Sequence, residues 1–438
     1  MPHYRHSSRT RQNALRVGQL DLGEGVAYTP AAMGKEHLKH SLAAFLLDTA
    51  VTTGMTAMPF FIYRQLGGDS QTSGTIGGLQ SACYAIVCLV SSPFLSRSQN
   101  GMVWGIAGCL WFMATFPMAP LGRNLYWFGA LSIICMAGMS LVWPALQAWI
   151  GAEPDVNLRG RRMGVFNLSW NAGFALGPII GGVLYDVHYA CPFVAVFVLT
   201  GVATLLIKSL PHEKEHFRVA DQSILDGREA YDRKSEAQLY AAWVANFVGF
   251  GMVAVMRSVF PKRVEDLAAA GAITMFGSGQ PLEWNAPAIF SSCMSVLSVV
   301  TAALLLGMGY SRWWRHKFWL QFLVQAGAAI AFWGLGITQS LAAMLVCAAV
   351  VGLNCGVCFV ASQQYSVSHP TRKHARAAIH EGVNGAGGFI GSIVFGYLGG
   401  SLGVTWPFLY TPIILTPLIV LQGLLLLYGR RRAGRAAE

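Results

Sequence analysis

Long apolar segments alternate with short polar ones along most of the chain. Stretches of about 20 residues that are apolar and nearly free of charge indicate membrane-spanning helices. Twelve such stretches occur, at 41–62, 74–95, 102–121, 125–150, 162–185, 190–210, 238–260, 287–309, 317–337, 341–367, 376–400 and 404–428. The pattern therefore predicts an all-α polytopic membrane protein with twelve transmembrane helices, numbered here in chain order.

A polar insert in mid-chain divides these helices into six and six. The predicted organisation is a tail at 1–40, a bundle at 41–210, a central loop at 211–237, a second bundle at 238–428 and a basic tail at 429–438. Residues 138–184 align without a gap with residues 352–398, matching Arg162 with Arg376 and four glycines with four glycines. Such internal repeats are typical of transporters, so we expect two pseudo-symmetric six-helix bundles.

Composition and charge support a membrane location. The chain is 54% hydrophobic and 12% charged, whereas a soluble domain is about 25% charged. Most of the 31 lysines and arginines fall on one predicted side, the exceptions being Arg64, Arg123, Arg257, Lys262 and Arg263. Because cytoplasmic loops retain basic residues, both termini are predicted to be cytoplasmic, in a bacterial plasma membrane. Topology and anionic lipid explain the net charge of +11 without a nucleic-acid partner.

Predicted helix 5 carries a pattern of small residues within "GVFNLSWNAGFALGPIIGG". The pattern consists of Gly164, Gly173, Gly177, Pro178, Gly181 and Gly182. Glycine and proline weaken helices in water, but glycines allow close helix packing in a membrane and proline bends a helix. These residues resemble the antiporter-type motif of the major facilitator superfamily, G-x8-G-x3-G-P-x2-G-G, at every position. The resemblance covers residues 40–428 and implies the major facilitator fold, with a central substrate site between two moving bundles.

Two loops depart from the family pattern. In that family the loop between helices 2 and 3 usually carries an aspartate that helps to latch the cytoplasmic side. Here "SPFLSRSQNG" has Ser96 at that position and retains Arg97. The matching loop of the second half, "GMGYSRWWRH", has Ser311 and retains Arg312. Arg97 and Arg312 are therefore gating candidates without the usual acidic partner.

Three charged residues lie well inside predicted helices, where charge is costly and indicates function. Asp48 in helix 1 is interpreted either as a proton carrier or as an ionised partner at the inner gate. Glu381 in helix 11 is expected at the inner gate, opposite an arginine such as Arg162 or Arg376. Arg257 in helix 7 either binds an anionic substrate group or extends to the outer surface.

The resemblance implies that a central cavity is lined by helices 1, 4, 7 and 10. Their polar and aromatic side chains, together with one asparagine of helix 5, are the substrate-contact candidates. These are Thr52, Trp143, Gln147, Asn171, Asn246, Arg257, Asn354, Gln363, Gln364 and Tyr365. A buried amide needs a hydrogen-bond partner, so each either contacts the substrate or ties helices together.

Together these features predict a secondary transporter of a small organic solute that works by alternating access. Export by proton antiport is favoured, and facilitated or symport uptake is the alternative. A non-transporting scaffold or sensor on the same fold also stays open. No catalytic residue, metal site or cofactor is predicted. The cysteine pair in "CGVC" at 355–358 lies within an apolar helix and is interpreted as helix packing. The expected partners are the solute, protons and the lipid bilayer, and the expected state is a monomer.

Overall fold

The structure, a computed structural model, describes residues 34–97, 101–151, 156–211, 233–311, 313–367 and 373–435. Twelve long helices make up most of this chain. They are α1 (Lys35–Gln65), α2 (Ser70–Arg97), α3 (Gly101–Thr115), α4 (Leu125–Gly151), α5 (Val156–Val187), α6 (Cys191–Lys208), α7 (Arg233–Ser258), α8 (Ala286–Tyr310), α9 (Trp319–Ile337), α10 (Leu341–Val367), α11 (Lys373–Leu402) and α12 (Trp406–Arg435). Each corresponds to one predicted segment. Most of the predicted tail and central loop, and Arg312, lie outside the described residues.

The helices confirm the predicted class, with small differences in their bounds. Within the described ranges, eleven segments are long and apolar enough to cross a membrane. α5 is not among them, although its 32 residues span about 48 Å at 1.5 Å per residue. Its glycines, asparagines and basic first turns reduce its hydropathy. α1 begins at Lys35 and α12 continues to Arg435, because polar turns extend each helix beyond its apolar segment.

The two halves have the same internal packing. In the N-terminal half α1 packs against α5 and α6, and in the C-terminal half α7 packs against α11 and α12. Likewise α4 packs against α2 and α3, as α10 does against α8 and α9. The halves meet along two helix pairs, α2 with α11 and α5 with α8. The fold is therefore two pseudo-symmetric bundles joined along these pairs.

The glycine face of α5 lies against α1. A methyl group added to Gly173 would lie 2.8 Å from the Thr49 nitrogen, and one added to Gly181 would lie 2.6 Å from the Thr53 carbonyl oxygen. The Thr53 hydroxyl also donates a hydrogen bond of 3.1 Å to the carbonyl of Gly177. These backbones approach each other because no side chain separates them.

The other motif positions differ in their surroundings. Gly182 faces the opposite half, where an added methyl group would lie 3.1 Å from the Pro287 carbonyl oxygen and would collide with Ser291 of α8. A methyl group added to Gly164 would meet no described heavy atom within 4 Å outside its own turn of helix. Pro178 lies inside α5, which continues through it as one helix. The motif therefore forms one contact within its half and one between the halves.

α11 repeats this arrangement in the C-terminal half. A methyl group added to Gly387 would lie 3.2 Å from the nitrogen of Gly251 in α7. One added to Gly391 would lie 2.8 Å from the Cα of the same residue. Gly396 faces the opposite half, with its added methyl group 2.7 Å from the Cα of Gly74 in α2. These are the positions that the sequence repeat pairs with glycines of α5.

A short helix, Phe260–Ala269, follows α7 and is named here the outer helix. The side of the bundle where α1 begins and α12 ends is called the terminal side, and the other is called the outer side. Arg263 of the outer helix is 6% exposed. It donates hydrogen bonds to the carbonyls of Leu335 at 2.7 Å and Thr338 at 3.3 Å, and to the Thr405 hydroxyl at 2.9 Å. Arg263 thereby fixes the outer helix to the C-terminal half.

Candidate functional site

The centre of the molecule lies where α1 and α5 of one half face α7 and α8 of the other. The cavity there is lined by Thr52, Met55, Thr56, Phe174, Pro178, Arg257, Phe290 and Met294. Its volume is about 10 Å³, which is room for about one water molecule. The walls are mostly apolar and carry one charged side chain. This cavity is therefore too small for an organic solute in this conformation.

Arg257 provides the charge in this wall. Its guanidinium carbon lies 4.7 Å from the centroid of the Phe174 ring in α5, within the range of a cation–π interaction. The sequence left two orientations open for Arg257, and the structure places its side chain in the cavity wall. A positive charge of the C-terminal half thus contacts an aromatic ring of the N-terminal half.

Asp48 of α1 is the acidic counterpart of Arg257. Its side chain is 8% exposed, and its Oδ2 atom has no hydrogen-bond partner among the described residues. Asp48 and Arg257 interact electrostatically, but no salt bridge joins them in the described chain. A buried carboxyl and a guanidinium, one from each half, therefore act on each other near the centre without direct ion pairing.

Asn246 belongs to a second polar cluster, between α7, α10 and α11. Its Nδ2 donates to Oδ1 of Asn384 and lies 3.5 Å from Nδ1 of His380. The same Nδ1 atom is 2.7 Å from the Ser362 hydroxyl. The sequence made Asn246 a candidate for substrate contact, and its described contacts are with side chains of the C-terminal half. His380 and Ser362 were not among the sequence candidates, although a histidine inside an apolar helix was a usable signal.

Glu381 lies next to this cluster and connects it to the other half. The Nδ2 of Asn384 lies 3.4 Å from Oε2 of Glu381, and the hydroxyl of Tyr84 in α2 lies 3.5 Å from the same oxygen. Gln147 of α4 also lies close enough to Glu381 to act on its charge. The sequence favoured an arginine partner, but the described partners are neutral groups.

The contacts described for this site include neither Arg162 nor Arg376, two of the four predicted gating arginines. Arg162 is half-buried in α5 and Arg376 is buried in α11. Arg97 ends α2, and its side chain, like Arg312 as a whole, lies outside the described residues. Their roles stay predictions.

Three of the substrate-contact candidates are buried and make contacts with other protein groups. Tyr365 is buried, and its hydroxyl accepts a hydrogen bond of 3.0 Å from the backbone of His316. Asn171 donates to the Asn167 carbonyl at 2.8 Å, within α5. Asn354 is fully buried between α10 and α7. Buried polar groups usually have such partners, but the Oδ1 atom of Asn171 has none among the described residues.

Of the remaining candidates, Trp143, Gln363 and Gln364 keep part of their surface accessible, whereas Thr52 is buried. Trp143 packs edge-on against Phe166 with the ring centroids 6.5 Å apart. Gln363 and Gln364 are half-buried in α10. Thr52 lines the central cavity and donates to the Asp48 carbonyl at 2.6 Å. Substrate contact by any of these residues stays a prediction.

An ion pair closes the outer side between the two halves. Arg64 near the end of α1 donates two hydrogen bonds of 2.7 Å to the carboxylate of Glu265 in the outer helix. Next to it, the Tyr63 hydroxyl donates to the Ser258 carbonyl at 2.9 Å. We call the Arg64–Glu265 pair the outer latch. No role was predicted from the sequence for the segment that forms the outer helix, although Arg64 and the charged run "PKRVED" of that segment both lie on the outer side.

Two matched bundles of membrane helices, with a small and mostly apolar cavity between them that carries one charged side chain, are the architecture of a large class of membrane transporters. The chain belongs to the Major Facilitator Superfamily, whose family model matches residues 41–379. It is therefore an integral membrane transporter rather than an enzyme.

Two characterised relatives come from Bacillus subtilis (strain 168). The chain is 24% identical over 171 residues to "Multidrug resistance protein 1", covering 38% of this chain and 43% of the relative. It is 27% identical over 154 residues to "Multidrug resistance protein 2", covering 33% of this chain and 38% of the relative. The chain thus matches less than half the length of these relatives.

Solved structures with the same fold are more distant in sequence. The nucleoside transporter NupG superposes with a TM-score of 0.69 at 10% identity, covering 90% of this chain and 99% of that one. A POT family transporter in complex with 5-aminolevulinic acid gives 0.66 at 14% identity, covering 90% and 96%. At these identities the likeness concerns the fold alone.

Proposed function

We propose that this protein exports a small organic solute in exchange for protons, with Asp48 as the proton carrier. The observation that carries the proposal is the Asp48 carboxyl, buried near the centre with one oxygen unpartnered among the described residues. Such a group can take up either a proton or a donor group of a solute. Antiport results when proton and solute compete for it.

The cavity walls favour a particular solute class. Two methionines and two phenylalanines form half of the eight lining residues, and such adaptable apolar walls suit ligands of varied shape. The carboxyl of Asp48 suits a protonated amine or another hydrogen-bond donor. We therefore propose a solute with an apolar body and an amine-like group. The names of the two Bacillus subtilis relatives, multidrug resistance proteins, agree with export of such solutes.

Arg257 has a supporting role in this scheme. A carboxylate without compensating charge is costly in an apolar interior. Arg257 interacts electrostatically with Asp48 across the interface of the halves, so it supplies that compensation when neither proton nor solute is bound.

Flux measurements in proteoliposomes test the proposal. Solutes are first selected as ligands that raise the thermal stability of the purified protein, since binding to the folded state does so. The Asp48→Asn variant keeps the side-chain size but cannot exchange a proton. We expect it to lose flux driven by a pH gradient while exchange between solute pools of equal concentration continues.

The matched control is Asp186→Asn, because Asp186 is exposed at the end of α5. This variant should transport like the unmodified protein. Driven flux that persists in Asp48→Asn removes the carrier role of Asp48. Solutes that bind but are never transported by the unmodified protein favour the scaffold alternative instead.

A further inference from the structure

A second cavity, on the outer side, is much larger than the central one. Its volume is about 480 Å³, within the range of about 300–1,000 Å³ that small-molecule sites occupy. It lies where the start of α2, the outer helix and the turn between α11 and α12 meet. It shares no lining residue with the central cavity, and the export scheme gives it no role. We call it the outer cavity.

Both halves of the protein supply walls of the outer cavity. Asp69 and Ser70 come from the start of α2, and Gly399 and Gly400 come from the end of α11. A methyl group added to Gly399 would lie 2.9 Å from the Ser70 hydroxyl oxygen, and one added to Gly400 would lie 3.5 Å from Oδ2 of Asp69. Because these glycines have no side chains, the polar groups that begin α2 lie directly against α11.

Asp69 brings a carboxylate without a counter-charge to this cavity. Its Oδ1 atom accepts hydrogen bonds of 2.8 Å from the backbone nitrogen and the hydroxyl of Thr72, and so caps α2. Its Oδ2 atom has no partner among the described residues, and no described lysine or arginine forms a salt bridge with Asp69. The other charged lining residues, Lys262 and Asp266, pair with each other at 2.6 Å. The lining therefore has one more negative charge than positive charges.

Ser70 adds a polar group without a partner. The residue is 2% exposed and lines the cavity, and its hydroxyl makes no hydrogen bond within the described chain. Buried polar groups usually have a partner, and a serine hydroxyl can accept a hydrogen bond from an N–H group. This hydroxyl therefore points to an occupant of the cavity that donates hydrogen bonds.

Trp406, at the start of α12, adds an aromatic surface to the lining. It is 43% exposed, and its ring stacks on that of Tyr410 with the centroids 5.4 Å apart. The face of an indole ring attracts cations more strongly than that of a phenyl or phenol ring. The carboxylate and the indole therefore favour the same kind of ligand.

We propose that the outer cavity binds an organic ammonium ion. Asp69 supplies the counter-charge, Ser70 accepts a hydrogen bond from the ammonium group, and Trp406 contacts the cation and its apolar body. The ion comes either from the outer medium or from the headgroup of a lipid. This binding needs neither Asp48 nor a proton, so it goes beyond the proposed export.

A cysteine in place of Leu402 reports whether the outer cavity is occupied, because Leu402 lines it and is 49% exposed. The Leu402→Cys protein in phosphatidylglycerol nanodiscs is labelled with a methanethiosulfonate reagent that carries a sulfonate, since a cationic reagent would itself compete. Labelling of the native cysteines is measured in the unmodified protein and subtracted. Benzylammonium chloride should slow the labelling of Cys at this position, whereas benzyl alcohol and benzenesulfonate should not.

Two substitutions in the Leu402→Cys protein assign the effect to the outer cavity. Asp69→Asn removes the charge and keeps the helix cap, since asparagine caps helices as well as aspartate does. Trp406→Leu removes the aromatic face. Each should raise the benzylammonium concentration for half-protection by about threefold, as for exposed ion pairs and cation–π contacts. The control is Glu283→Gln, which makes the same charge change at an exposed outer residue that does not line the cavity, and it should leave that concentration unchanged.

Three outcomes overturn the proposal. One is a lack of protection by benzylammonium, and another is equal protection by benzyl alcohol or benzenesulfonate. The third is protection that Asp69→Asn and Trp406→Leu leave unchanged, since benzylammonium then acts from another site such as the central cavity. Phosphatidylethanolamine nanodiscs separate the two sources of the ion: weaker protection there supports a lipid headgroup as the occupant, and equal protection supports an ion of the outer medium.

Discussion

Replacing Glu265 with glutamine is expected to shift the protein toward an outer-open conformation by about fivefold. Arg64 belongs to α1, whereas Glu265 belongs to the outer helix, which Arg263 fixes to the C-terminal half. The outer latch must therefore break whenever the halves separate on that side. It stabilises only the outer-closed conformation, so its loss appears directly in the equilibrium.

The size of the shift follows from the geometry of the pair. Both nitrogen–oxygen distances are 2.7 Å, and the side chains are 34% and 21% exposed. The gross attraction near a protein surface is about 4 kcal/mol at 4 Å, but desolvation and side-chain ordering offset most of it. Exposed pairs contribute about 0.2–1 kcal/mol, and bidentate geometry puts this one near 1 kcal/mol. A difference of 1.4 kcal/mol changes an equilibrium constant tenfold. A contribution of about 1 kcal/mol therefore changes the equilibrium between the conformations by a factor of about five.

Glu265→Gln is the better single variant of the two. Arg64 also lies 5.5 Å from the Phe60 ring and 5.8 Å from the Tyr185 ring, both in its own half. Those contacts persist when the outer side opens, so removing Arg64 would disturb both conformations. The double variant Arg64→Gln with Glu265→Gln completes a thermodynamic cycle.

The assay is the labelling rate of a cysteine at Thr56, which lines the central cavity and is 3% exposed. A membrane-impermeant maleimide added from the outer side reacts only when that side is open. The Thr56→Cys protein should label about five times faster with Glu265→Gln, and the double variant should show no further increase. The control is Asp266→Asn, because Asp266 pairs with Lys262 of the same helix. Equal rates in Glu265→Gln and the control would refute the latch.

Two further predictions concern packing. Gly182→Ala places a methyl group against Ser291 of the opposite half, so it should slow transport more than it lowers thermal stability. Gly177→Ala places a methyl group against α1 of its own half and should cost about 1–3 kcal/mol of stability. Flux and thermal unfolding, measured for both variants, test this difference. Gln325 and Gln422 donate to each other at 2.9 Å and 2.8 Å, fully buried, so Gln325→Leu alone should cost about 1–3 kcal/mol in thermal unfolding, and leucine at both positions should restore most of it.

Eleven of the twelve helices were predictable because each contains a long apolar segment, and a bilayer imposes its own length on such segments. The glycine pattern of α5 likewise predicted a close helix contact, which Gly173, Gly177 and Gly181 make with α1. The pattern did not show that Gly182 faces the other half, since that depends on how the two bundles dock. Gly164 made no such contact in the described chain.

The site was less predictable than the fold. Asp48 and Arg257 were identified because charge inside a membrane is rare. The partners of Glu381 were not, because Tyr84 lies 297 positions away along the chain and nothing in its local sequence indicates the contact. The outer latch was missed for a similar reason, since Arg64 and Glu265 are 201 positions apart and each is an ordinary surface charge in its own segment.

The position of the latch makes the two faces of the protein respond differently to their surroundings. Arg64 and Glu265 are partly exposed on the outer side, and ions in that medium screen charges with a Debye length of about 8 Å at physiological ionic strength. The contacts of Glu381 are made inside the bundle, where dissolved salt has little effect. The equilibrium between the outer-open and outer-closed conformations should therefore depend on the salt concentration on the outer side and not on that of the terminal side.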